Sequence, residues 1–135
     1  MYGYKIETMD YYKHRSIMTT INLLIPYPPS VNTYWGFHGH RRFLTNKANQ
    51  FKADVAHVVN KQPIHSLGLS RLEISITLYP IDKRVRDIDN SIKSCLDALV
   101  ATKLFDDDSQ VDVLLILRGE QRKGGQALVT ITTLD

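Results

Sequence analysis

Residues Leu72–Leu117 read LEISITLYPIDKRVRDIDNSIKSCLDALVATKLFDDDSQVDVLLIL. Leu72, Ile74, Ile76 and Leu78 alternate with Glu73, Ser75, Thr77 and Tyr79 and stop at Pro80, and a period of two predicts a half-buried strand. Ile88, Ile92, Cys95, Leu96 and Leu99 then recur at helical spacing, which predicts a helix from about Asp89 to Lys103. Val111, Val113, Leu115 and Leu117 return to alternation. Strand, helix and strand follow one another with no linker between them.

The flanking sequence extends this pattern in both directions. Ile21 to Ile25 is a short apolar run halted by Pro26-Tyr27-Pro28-Pro29, residues that suit the end of a strand. Ser30 to Leu44 reads as a loop. Thr45 is a good N-cap, and Ala48, Phe51, Val55, Val58 and Val59 follow at helical spacing until Pro63. Val129 and Ile131 mark a last strand after a turn at Gly124-Gly125. The expected fold is α+β, a single domain of βαβαββ order with two helices packed on a mixed sheet. Residues Met1 to Met18 show no periodicity and read as an N-terminal extension, leaving 19–135 as the domain.

With 135 residues, 43% apolar and 23% charged, and with 7 Gly and 5 Pro, the composition suits one globular domain and excludes collagen, low-complexity and disordered chains. No apolar run approaches the roughly 20 residues that span a bilayer, and the first eighteen residues lack a secretory apolar region, so a soluble cytoplasmic protein is expected. One cysteine, Cys95, excludes an intramolecular disulfide and a thiolate metal cluster. The net charge of +3 mildly favours a polyanionic partner. Its distribution says more: acids concentrate between Asp82 and Asp112, and bases at Arg41-Arg42, Lys83-Arg84-Arg86 and Arg118-Arg122-Lys123. Carboxylates framed by bases fit a metal site that handles phosphates.

Asp87 and Asp89 flank Ile88, and extended spacing turns side chains i and i+2 to one side. Lys93 follows Asp89 by four residues, close enough on a helix to face the same site. Asp106-Asp107-Asp108 follows the helix, where a return loop brings a third carboxylate toward the first two. Mg²⁺ takes such oxygen ligands together with waters and substrate phosphates. The plainer alternative stands beside this: aspartates at helix starts cap amides, aspartate-rich turns are common on surfaces, and Lys93 suits an ion pair with Asp89 or Asp97. An EF-hand is excluded, because counting from Asp87 puts Ile92 at the glycine position and Ala98 at the bidentate glutamate. Phosphate-cradling GxxxxGK and GxGxxG loops, a GxSxG elbow and an HExxH helix are all absent. His38 and His40 beside Arg41 and Arg42 suit phosphate or solvent better than a metal. Tyr34, Trp35, Phe37, His40, Arg41, Arg42 and Phe43 mix aromatic and basic side chains, a composition suited to unstacked bases and a phosphate backbone.

Pro28-Pro29-Ser30-Val31-Asn32, Arg86-Asp87-Ile88-Asp89-Asn90 with Lys93, and Leu96-Asp97-Ala98-Leu99 running into Phe105-Asp106-Asp107-Asp108-Ser109-Gln110-Val111 occur here in one order, closed by Lys123-Gly124-Gly125. In this the chain resembles the RusA family of Holliday junction resolvases from about Ile21 to Leu134. The resemblance implies a homodimeric, Mg²⁺-dependent endonuclease, with Mn²⁺ able to substitute, that resolves four-way DNA junctions by paired nicks in recombination and repair. It assigns catalysis and metal binding to Asp87, Asp89 and Asp108, and a catalytic role to Lys93. Asp106 is an extra acid relative to the family pattern, and Asp107 competes with Asp108 for the third position, alignment through Gln110 favouring Asp108. Arg86, Arg84 and Lys83 would hold the flanking backbone, with Arg41, Arg42, Arg122 and Lys123 as outlying DNA contacts. Lys93 would either stabilise charge at the phosphate or orient and deprotonate the water. Two other readings remain open: a non-catalytic DNA-binding module, and a divalent-dependent nuclease acting on other branched DNA.

Overall fold

The computed structural model describes residues 18–134; the expected extension, apart from Met18, lies outside the described residues. β1 (Thr20–Pro26) leads into a one-turn helix α1 (Val31–Tyr34) and a hairpin of β2 (Trp35–His38) and β3 (Arg41–Leu44). Helix α2 (Asn46–Asn60), strand β4 (Arg71–Tyr79) and helix α3 (Ile92–Ala101) follow. A single 3-10 turn, Asp108–Gln110, precedes β5 (Val111–Arg118), and β6 (Gln126–Leu134) ends the domain. The main sheet has the order β1-β6-β4-β5, with β4 and β5 parallel and the other pairs antiparallel. The fold is therefore α+β with a mixed sheet, as expected, plus a separate two-stranded ribbon.

One face of the sheet carries Ile21, Leu23, Ile25, Leu72, Ile74, Ile76, Val129 and Ile131, all buried. Phe51, Val55 and Val59 of α2 and Cys95, Leu96 and Leu99 of α3 pack onto them in one core. Thr45 caps α2 as expected, its hydroxyl oxygen accepting from the Ala48 amide at 3.2 Å. Complete burial pushes the Cys95 thiol up to about 12, so it serves as a small apolar filler rather than a nucleophile.

Three sequence expectations are refined. The Ser30–Leu44 loop holds α1 and the hairpin, because Gly39 at φ 64° closes a two-residue turn between His38 and Arg41. Helix α3 starts at Ile92 rather than near Asp89: Asp87 to Ser91 form turns in which the Asn90 amide donates to the Asp87 carbonyl and the Ile92 amide to that of Asp89. It ends at Ala101 because Lys103 takes a left-handed φ of 66°. Strand β5 is an edge, and its alternation does not bury one row: Val113, Leu115 and Leu117 are exposed at 38%, 51% and 47%.

The approach of the first motif to the second is made by side-chain bonds onto carbonyls that proline leaves free. Ser91 donates to the Pro28 carbonyl at 3.1 Å, and Ser94 donates to that of Pro29 at 2.6 Å. Both serines are buried. The Val31 amide donates to the Asn90 carbonyl at 2.8 Å and completes the seam. Ser94→Ala removes a buried donor and should lower unfolding free energy by about 1–3 kcal/mol in a denaturant titration, against no measurable change for Ser109→Ala at the exposed turn.

Candidate active site

Asp87 and Asp89 sit in the turns ahead of α3 with both side chains exposed. Beside Asp87 opens a cleft of about 620 Å³ lined by Tyr27, Ser30, Lys47, Arg84, Arg86 and Gly124, among others. Gly124 and Gly125 turn there with φ of 80° and 70°. A Cβ on Gly125 would lie 3.1 Å from that of Tyr27, so the closing double glycine supplies both the left-handed turn and the close approach to the cleft wall.

Lys93, in the first turn of α3, places its ammonium 3.0 Å from Asp97 and 3.1 Å from Asp108. The two carboxylates raise its pKa, the Asp97 hydrogen bond most and the Asp108 bond next. This pair carries the contact between the central motif and the acidic turn. The expected ion pair to Asp97 is present, and Asp97 emerges as the near partner that holds Lys93 toward the turn. Tyr34 lies within electrostatic reach of the pair: burial raises its pKa first, and the Asp97 charge adds to that rise.

The acidic turn is built around Gln110. Its buried carboxamide oxygen accepts from the amides of Asp106 and Asp107 at 2.8 and 2.9 Å. Its nitrogen donates to the carbonyls of Gly68 and Ser70 at 2.9 and 2.8 Å. Asp107 caps the 3-10 turn, accepting from the Ser109 amide at 3.2 Å in a reciprocal capping box with Gln110, and its bonds to Ser109 lower its pKa. Asp107 is thereby committed to the backbone, while Asp108 meets Lys93. The Asp-x-x-Gln spacing of residues 107–110 is a capping-box signature visible in the sequence, and it was the available signal for this division of labour.

The basic residues divide in the same way. Arg86 is folded into its own loop, with its guanidinium 2.8 Å from the Asp82 carboxylate and donating to the carbonyls of Asp82 and Arg84. That guanidinium, chiefly, and the Arg84 amide hold the Asp82 carboxyl at about 2. Arg84 reaches the same carboxylate at 3.1 Å with its side chain 82% exposed, and Lys83 is exposed. Arg122 lies over the Tyr79 ring at 3.5 Å, Arg42 lies over Trp35 at 3.9 Å, and Arg41 and Lys123 are exposed. Asp82 was missed as a positioning residue, because nothing in a linear sequence distinguishes it from its acidic neighbours.

The structure does not gather all the expected ligands. Among the described residues, no group of three or more His, Cys, Asp or Glu side chains lies close enough to hold a metal ion. Asp87 and Asp89 share one turn region and Asp108 pairs with Lys93, but the three-carboxylate cluster is not assembled. The donors are all oxygen, a chemistry that fits a hard cation bound by a few carboxylates with waters and phosphate.

The sequence model of the family described as endodeoxyribonuclease RusA matches residues 26–132, which include every segment of this site. The chain belongs to the RusA family. The RusA crossover junction endodeoxyribonuclease of Enterobacteria phage HK97 is 33% identical over 118 residues, covering 87% of this chain and 98% of that protein. The proteins of the same name from Escherichia coli K12 and Enterobacteria phage 82 are each 30% identical over the same shares. RusA membership identifies the chain as an endodeoxyribonuclease. Among the described residues no helix is long and apolar enough to cross a membrane.

Because all four hydrogen-bonding positions of the Gln110 amide are used, Gln110→Leu should lower unfolding free energy by about 3 kcal/mol through buried groups left unpaired. Asp106→Asn, on an exposed side chain of the same turn, should stay within about 0.5 kcal/mol of wild type. Paired denaturant titrations check both.

Proposed function

We propose that this protein resolves four-way DNA junctions by paired, metal-dependent nicks. The observation that carries the reading is the Lys93–Asp108 pair, which ties the first turn of α3 to the acidic turn, while Asp87, just ahead of that helix, lines a cleft whose walls include Lys47, Arg84 and Arg86. The names of the family's relatives supply the substrate. Asp87, Asp89 and Asp108 would hold Mg²⁺, for which Mn²⁺ can substitute. Such a cation supplies charge neutralisation at the phosphate and a more acidic bound water.

The chain's own residues supply the rest. Lys93 donates to phosphate oxygens or to the attacking water once Asp108 turns from it to the cation, while Asp97 stays paired with the ammonium and keeps it directed toward the turn. Lys83 and Arg84 meet the backbone from the exposed loop, while Arg86 sets that loop through Asp82. Arg41, Arg42, Arg122 and Lys123 extend the phosphate contacts. The residues from 19 onward are proposed to constitute the nuclease domain.

Paired nicks require paired sites, and a two-fold dimer matches the pseudo-two-fold symmetry of a junction. Strand β5 supports this arrangement: among the described residues it is an edge strand of 8 residues, paired only with β4, with Val113, Leu115 and Leu117 exposed on it. A long apolar edge is a template for pairing. A second copy of the chain is its proposed occupant, because an edge strand that pairs antiparallel with itself generates a two-fold axis.

Cleavage of labelled four-way junctions in Mg²⁺ should be abolished by EDTA and by each of Asp87→Asn, Asp89→Asn and Asp108→Asn, with junction binding retained in gel shifts. Lys93→Ala should slow single-turnover cleavage by about 10² or more with a small change in affinity. Cutting of linear duplex at equal rates, or uncut junctions under all conditions, would favour the rival readings. Leu115→Lys should convert a dimer to a monomer in light scattering while the melting temperature of the monomeric fold is preserved.

A further inference from the structure

Among the described residues the β2/β3 hairpin forms a sheet of its own, separate from the main sheet, and its base adjoins the site. Its base is α1, whose Val31 amide bonds Asn90, and whose Tyr34 senses Asp97 and Lys93. Toward its tip, Phe37 is 70% exposed and Phe43 48% exposed. Cross-strand pairing sets Trp35, Phe37 and Arg42 on one face and Phe43, His38 and Arg41 on the other. Arg42 covers Trp35 at 3.9 Å, and Trp35 meets Tyr34 edge-on at 5.2 Å. The Phe43 ring lies on Gly36, where any Cβ would stand 2.5 Å from it. These contacts stiffen the ribbon from its base, and among the described residues no ring covers that of Phe37.

Charge indicates what meets that ring. From Pro26 to Ala53 the sequence has no Asp or Glu, while Arg41, Arg42, Lys47 and Lys52 supply positive charge. An exposed aromatic ring on a ribbon that also carries Arg41 and Arg42 is complementary to a polyanion that presents flat aromatic faces, and nucleic acid bases are such faces when unstacked. Intact duplex hides them. The centre of a four-way junction exposes them once its arms are splayed.

We propose that the Trp35–Leu44 hairpin recognises the branch point, with Phe37 stacking on a base exposed at the junction centre and Arg41 and Arg42 holding the flanking phosphates. This rests on the junction-resolving reading and adds to it the source of structure selectivity. The ring acts on binding geometry and not on the scissile phosphate.

The test uses the full-length protein in EDTA, so that nothing is cut, with a four-way junction carrying 2-aminopurine at the branch and a linear duplex of the same arms. Phe37→Ala should lose about 10-fold in junction affinity with duplex affinity changed less than about twofold, since stacking of one base is sequence-tolerant and local. The 2-aminopurine fluorescence change on wild-type binding should vanish in Phe37→Ala and return in Phe37→Trp. Wild-type affinity and fluorescence in Phe37→Ala, or an equal loss on junction and duplex, would overturn the assignment. If wild type itself neither prefers nor cuts the junction, the junction reading falls together with this one. If wild type does both and Phe37→Ala matches it, only the hairpin assignment falls.

Discussion

The arrangement of the site depends on one buried side chain amide. Gln110 gathers two amides from the acidic turn and two carbonyls from the Gly68–Ser70 turn, and each of its bonds is between 2.8 and 2.9 Å. Inside a low-dielectric interior such a node tolerates little displacement, because any group that leaves it loses a partner without gaining water. It therefore fixes the chain immediately before β4 and immediately before β5 at the same place. Since β4 and β5 are the parallel pair, this also sets where the acidic turn emerges relative to α3.

With the turn fixed, the functional groups are sorted by what their neighbours leave free. Asp107 is used by the Ser109 amide and Arg86 by Asp82 and by carbonyls of its own loop. Asp108 and Lys93 find each other, with Asp97 behind them. All of these side chains are solvent-accessible, so their pairs are exchangeable: an approaching phosphate competes for Lys93 and Arg84 on near-equal terms, as an enzyme that binds and releases a polyanion requires. The same reasoning separates basic residues stacked on Tyr79 or Trp35, which are held in place, from Arg41, Lys83 and Lys123, which extend into solvent.

The sheet shows a complementary asymmetry. Its helix-covered face is a closed core, whereas the β5 edge keeps apolar side chains in water. An isolated exposed leucine is ordinary, but a row along an edge strand is the kind of edge that proteins normally blunt. The hairpin also exposes apolar surface, but there the exposure is aromatic, Phe37 and Phe43, beside Arg41 and Arg42.

Periodicity alone determined the order along the chain of the main strands and helices and most of the core, because burial on one face imposes a repeat of two or of 3.6 that survives in the linear chain, and residue type marked the Thr45 cap. The motifs likewise marked Asp87, Asp89, Lys93 and Asp108 as a group. Tertiary structure alone decided that Asp107 caps while Asp108 pairs, that Arg86 is spent on Asp82, and that Ser91 and Ser94 satisfy the Pro28 and Pro29 carbonyls. It also revealed a hairpin where the sequence read as loop, and an exposed edge where alternation suggested burial. The physical reason is common to all of these. Periodicity reports which residues avoid water, whereas partner choice depends on distances between segments far apart in the chain, and those distances exist only once the core has closed.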